Sequence, residues 1–179
     1  MTKPKVATDW LAGCAGCEMS LLDMDERLVE LLQKIELTSC PITDLKHPPE
    51  EGVEVGILTG AVNNTTNRAV ARLMRKRCKC LVALGDCAVF GGVVTMRNFF
   101  EMEDALKQTY VDTENTINGK IPDSAKLNKP IKTQSISQVV KVDVSLPGCP
   151  PSADSIYYVL KELAEGRTPV LVGENLKYD

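Results

Sequence analysis

Histidine is nearly missing from this sequence of 179 residues, which has only His47. A single imidazole excludes multi-histidine zinc or copper sites and any two-histidine iron site built within the chain. Excess charge of either sign is missing too. Twenty-one basic residues against 24 acidic ones leave −3, and no Lys/Arg run stands out. That excludes a nucleic-acid partner bound through a basic face. No apolar run approaches the ~18 residues of a membrane-spanning helix, so no membrane partner is expected. The opening Met-Thr-Lys-Pro-Lys-Val-Ala shows no signal-peptide core, twin-arginine leader or lipidation motif. The expectation is a cytoplasmic protein, in a compartment that keeps thiols reduced.

Cysteine, by contrast, is plentiful. Seven is an odd number that a full disulfide framework cannot use up, so the thiols need another role. Hydrophobic residues make up 44%, enough for a proper core. The length predicts a single domain over residues 1–179.

Strand and helix signals alternate along the chain. Val6 to Leu11 reads as a first strand running into Gly13-Cys14-Ala15-Gly16-Cys17. Leu21, Met24, Leu28, Leu31, Leu32 and Ile35 fall at helical spacing among charged residues and predict one amphipathic helix of four to five turns. Ile35 to Cys40 is a second strand, and Leu45 to Glu51, with Lys46-His47-Pro48-Pro49, is a loop that leaves His47 on the surface. Val53 to Thr59 is a third strand, closed by Gly60. Asn63-Asn64-Thr65-Thr66 supplies cap residues for a helix reaching Arg77. Cys80 to Leu84 is a continuous apolar run, as a buried parallel strand should be. Alternating Val140, Val142, Val144 and Leu146 predict a strand from Val139 to Leu146, and Asp154 to Glu165 a helix entered through prolines. The polar stretch from about 113 to 138 reads as an insertion loop. This order predicts an α/β fold: a flavodoxin-like open parallel sheet with helices on both faces.

Four cysteines fall just past the carboxyl ends of predicted strands: Cys14 and Cys17, Cys87, and Cys149. In an open parallel sheet those ends share one edge, where ligands bind. Glycines and prolines flank each of them, suiting tight backbone turns. Four converging thiolates can hold Zn²⁺ or an iron–sulfur cluster, and unrelated buried thiols are the third reading. Structural zinc usually takes a second compact Cys pair, whereas here two ligands are isolated in distant loops; the pattern leans toward iron–sulfur. The helices after Cys17 and Cys149 would aim their amino-terminal amides at an anionic cluster. Cys78 and Cys80 enter their strand from the wrong end, and like Cys40 they read as ordinary core thiols.

Cys14-Ala15-Gly16-Cys17, Leu84-Gly85-Asp86-Cys87 with Gly91-Gly92, and Pro147-Gly148-Cys149-Pro150-Pro151 resemble the small subunit of nickel–iron hydrogenases. The resemblance runs from the first strand to the helix after Cys149. It implies that Cys14, Cys17, Cys87 and Cys149 hold the proximal 4Fe–4S cluster beside a nickel–iron centre in a large subunit. The homologous complex I subunit shares the Pro-Gly-Cys-Pro-Pro motif but has adjacent cysteines at its first site; Cys14 and Cys17 are two residues apart, which favours hydrogenase. No cysteine follows Cys149, so one cluster is expected. A short, leaderless, one-cluster subunit resembles those of cytoplasmic bidirectional hydrogenases. Their partners would be the large subunit and a diaphorase-type iron–sulfur and flavin module carrying FMN and reducing NAD, with hydrogenases that use a deazaflavin, ferredoxin or sulfur acceptor as the alternative. No catalytic acid or base is assigned to this chain, and no FMN site is expected on a sheet edge taken by cluster loops. The family's glutamate two residues after the second Cys is replaced by Met19. The acid here is Glu18, read as a residue that favours the first helical turn.

Overall fold

The computed structural model describes residues 3–45, 47–173 and 176. Lys46 of the proline-rich loop lies outside the described residues. The main sheet holds five parallel strands: β1 (Lys5–Trp10), β2 (Glu36–Ser39), β3 (Val53–Thr59), β5 (Cys78–Leu84) and β7 (Val144–Leu146), in the order β2-β1-β3-β5-β7. Strand β4 (Val62–Asn64) lies outside it, paired antiparallel with β6 (Pro130–Gln134). The main sheet therefore has the flavodoxin-like order, with its switch point where β1 adjoins β3.

Both faces of the sheet are covered, and the central strands show why. In β5, Val82 and Leu84 join one core while Leu81 and Ala83 join the other, all nearly inaccessible. A strand buried on both sides reads as an unbroken apolar run. On the first face Leu21 packs from α1 (Gly16–Leu22), Leu31 from α2 (Glu26–Lys34), Met24 from the turn between them, and Ile156 and Val159 from α6 (Ala153–Ala164). On the second, Ala71, Met74 and Ala88 pack from α3 (Thr65–Arg77) and α4 (Asp86–Phe90). Helix α3 starts as its sequence predicts: the Asn64 side chain accepts the Asn67 N–H at 2.8 Å.

Three expectations need correction. The single helix after Cys17 is two, broken at Asp23–Asp25, where Asp25 takes φ 52°. The break keeps Met24 and Leu28 facing the sheet, so the apolar spacing conceals it; aspartates bonding to local backbone favour the turn. The strand predicted from Val139 shrinks to Val144–Leu146. Ahead of it, Ile136–Gln138 form a 3-10 turn held by a Ser135–Gln138 capping box. Nor is the whole of 113–138 a loop. Its last part forms β6 and buries Thr133, Ser135 and Ile136. Residues left unassigned by the sequence pattern form a 3-10 helix over Gly92–Phe99 and helix α5 (Met102–Tyr110). Arg97 pins the 3-10 helix by donating to the Asn63 and Ile131 carbonyls. Among the described residues, no helix is long and apolar enough to cross a membrane.

Candidate functional site

The carboxyl edge of the sheet is where three loops meet. After β1 the chain is held to the turn beyond β3 by reciprocal bonds between Ala12 and Ala61, at 2.9 and 2.7 Å. It then presents Cys14, turns through Ala15 at φ 64° and enters α1, so Cys17 sits within the first turn rather than before it. Gly85, at φ 88° and ψ 160°, ends β5 and starts α4 with Cys87 in its first turn. Beyond β7, Gly148 at φ 138° delivers Cys149, whose bond to Pro150 is cis.

All four thiols predicted as ligands, Cys14, Cys17, Cys87 and Cys149, line one cavity of about 360 Å³, together with Trp10, Glu18, Thr59 and Asp86. Cys14 and Cys149 are exposed; Cys17 and Cys87 are half-buried. Burial, reinforced by the neighbouring Glu18, Cys87, Cys14 and Cys149 charges, pushes the Cys17 thiol up to about 12. Burial also raises Cys87, with Cys149 and Cys14 adding to it and a bond from the Val93 N–H opposing it. The sulfurs thus feel one another's charge. Holding all four as thiolates requires positive charge among them, which a metal core supplies.

Side chains that the sequence did not mark lace the three loops together. Asp86 joins the second and third: its Oδ1 accepts the Gly148 N–H at 2.8 Å, and its N–H donates to the Gly148 carbonyl at 2.9 Å. Ser20 joins the first and third, its hydroxyl donating to the Pro151 carbonyl at 2.5 Å. The first and second loops meet at Gly85, where any Cβ would run into the Cys17 sulfur. A Cβ on Gly92 would stand 2.9 Å from the Cys87 sulfur. A small or absent side chain beside a half-buried sulfur was visible as glycine, but its purpose was not.

Glu18, read from the sequence as an acid that favours the first helical turn, has surroundings that reading did not supply. It is buried; Oε1 accepts from the Thr59 hydroxyl and Oε2 has no partner among the described residues. Burial raises its carboxyl above the ordinary range, against the Thr59 bond. The other thiols lie away from the cavity. Cys78 opens β5 at the opposite edge, paired with Val53, and both it and Cys40 are buried. His47 is exposed.

A family profile described as the NADH ubiquinone oxidoreductase 20 Kd subunit matches residues 14–163, which contain all four cysteines. The chain belongs to this family. Within it, the resemblance to hydrogenase small subunits is borne out. The NAD-reducing hydrogenase HoxS subunit delta of Cupriavidus necator is 40% identical, over 99% of this chain and 86% of its own length. A subunit of the F420-non-reducing hydrogenase of Methanothermobacter marburgensis is 30% identical over 97% of this chain, which spans 58% of that relative. Among solved structures, a chain of an NAD+-reducing [NiFe]-hydrogenase superposes with TM-score 0.94 at 34% identity, over 99% of this chain and 100% of that one. A [NiFeSe]-hydrogenase from Dm. baculatum, at 17% identity and TM-score 0.55, shares the fold.

Proposed function

We propose that this family member works in the cytoplasm as the electron-transfer small subunit of a nickel–iron hydrogenase. It relays electrons between a hydrogen-splitting large subunit and a diaphorase-type module, for the overall reaction H2 + NAD+ to NADH + H+. Residues 1–179 serve this as one domain. Cys14, Cys17, Cys87 and Cys149 hold one 4Fe–4S cluster, and the nickel–iron centre, FMN and NAD belong to partner subunits.

The observation that carries this reading is the meeting of four thiols, from loops far apart in sequence, on one cavity. A cavity of about 360 Å³ is roomier than one ion needs. That favours a cluster over zinc. When bound, such a cluster supplies reversible one-electron storage. The chain itself provides four sulfur donors and close backbone at Gly85 and Gly92. The Val93 N–H directed at the Cys87 sulfur tunes that ligand. Trp10, Leu11 and Pro150 line the cavity with apolar surface that limits water. NAD as the final acceptor is supported by 40% identity to the NAD-reducing relative against 30% to the F420-non-reducing one.

The test is anaerobic purification of the complex, with iron, acid-labile sulfide and zinc measured per subunit. One 4Fe–4S equivalent is expected in this chain and should vanish in Cys87→Ala plus Cys149→Ala, with NAD reduction. Retention of the cluster in that variant sinks the assignment, and stoichiometric zinc without iron replaces it with a zinc-stapled interaction module. Co-purification with a deazaflavin, ferredoxin or sulfur reductase in place of a diaphorase would move the acceptor and leave the cluster standing.

A further inference from the structure

A second cavity, of about 220 Å³, lies between the α1–α2 pair and the sheet. Leu28 and Leu31 of α2 face Ile57 and Leu84 of the central strands across it, and Leu31, Ile57 and Leu84 are among the most buried residues in the chain. Leu22 and Ile42 are exposed on its lining and mark the side open to solvent. Two of its lining residues, Glu18 and Thr59, also line the cysteine cavity and hydrogen-bond each other, so this pair is the wall between the two spaces.

Protein interiors are packed nearly as tightly as organic crystals, and few domains keep a void larger than a water molecule. An empty space of this size forfeits the dispersion contacts of every side chain around it. Water is a poor occupant, because a buried water needs two to four polar partners and the exposed walls are almost wholly apolar, the Thr59 hydroxyl being turned to Glu18. A charged occupant is excluded by its desolvation cost. Apolar cavities of about 150 Å³ stay dry and take up benzene or xenon. We propose that this cavity is a binding site for a small, uncharged, apolar molecule of about the size of a benzene ring. The site does not depend on the cluster assignment, although its occupant lies one residue layer from Cys17, against the neighbouring Glu18.

The experiment uses xenon as the probe on the intact, anaerobically purified complex. Crystals held under xenon pressure should show one anomalous peak between Leu28 and Ile57, and ¹²⁹Xe exchange in solution should report the same site. Leu28→Trp, at a half-buried position that can accommodate bulk, should lower occupancy at least about tenfold, comparable to losing a well-shaped apolar contact surface. Leu31→Phe is the second filling variant should the first fail to fold. Absence of the peak in the wild type, an undiminished peak in a folded filled variant, ordered waters in the space, or a partner side chain seated there would each overturn the proposal. Iron and sulfide contents of the same samples report separately on the cysteine site, so the two readings fail independently.

Discussion

Replacing Gly85 by alanine should empty the cysteine site without unfolding the chain. Two costs separate at this position. The first is conformational: Gly85 sits at φ 88° and ψ 160°, a region only glycine adopts readily, and a side chain there costs roughly 1–3 kcal/mol. The second is steric, because the new Cβ would overlap the Cys17 sulfur, which is fixed within the first turn of α1. A core displaced by an unwanted methyl typically loses about 1–3 kcal/mol. Here the displaced atom is a proposed ligand, so the strain should appear as lost metal. Gly166→Ala is the control: it too has positive φ, 73°, but among the described residues nothing lies within 4 Å of the added Cβ. Both variants should lose stability in urea through backbone strain, about 1–2 kcal/mol for Gly166→Ala and about 1–3 kcal/mol for Gly85→Ala. Only Gly85→Ala should also lose at least about half of its iron and sulfide, since each 1.4 kcal/mol is tenfold in a binding constant. A Gly85→Ala protein with wild-type iron content, or a Gly166→Ala protein that loses as much, would refute the claim that Gly85 exists to make room for the Cys17 sulfur.

Asp86→Ala removes the acceptor of the Gly148 N–H, a charge-assisted bond worth about 1.5–3 kcal/mol; iron release to a chelator should accelerate by at least about tenfold, with Asp86→Asn intermediate. Asn64→Ala should cost about 1 kcal/mol in urea unfolding through loss of the α3 cap, with iron content unchanged, because α3 supplies no cavity residue. Asp143 bears on pH. Desolvation tends to raise its carboxyl, but the Leu81 N–H and Arg75 outweigh that and hold it below the ordinary range. A depressed folded-state value stabilises above the unfolded value and is lost as pH falls through the folded one. The stability gap between wild type and Asp143→Asn, about 1–2 kcal/mol, should therefore hold from pH 7 to about pH 5 and shrink below about pH 4; a gap that widened on acidification would contradict the ion pair.

Much of this arrangement is legible in local patterns because local forces produce it. The apolar run of β5 and the cap at Asn64 depend on neighbours in sequence, and the structure has both where the pattern puts them. The placement of Cys14, Cys17, Cys87 and Cys149 past strand ends follows from the same logic, since parallel strands share one carboxyl edge. Where tertiary demands override local ones, the pattern misleads. The break at Asp25 leaves helical spacing intact, and the 3-10 turn over Ile136–Gln138 hides at the end of a polar stretch. Strand β6 is polar at its buried positions because Thr133 meets hydrogen-bonding partners there, its N–H donating to Asn98 and its hydroxyl to the Val94 carbonyl.

By itself the sequence determined the layer order, the sheet edge that carries the site and the four thiols set along it, because periodicity and turn residues act over a few positions. Only the tertiary structure decided how those thiols are held. The Asp86 carboxylate on Gly148, the Ser20 hydroxyl on Pro151 and the absent Cβ at Gly85 act between loops that no local rule connects. The burial of Glu18 and the apolar cavity behind it belong to the same class. Both arise where α1 and α2 close on the sheet, and what is enclosed there depends on packing between elements rather than on any residue's neighbours in the chain.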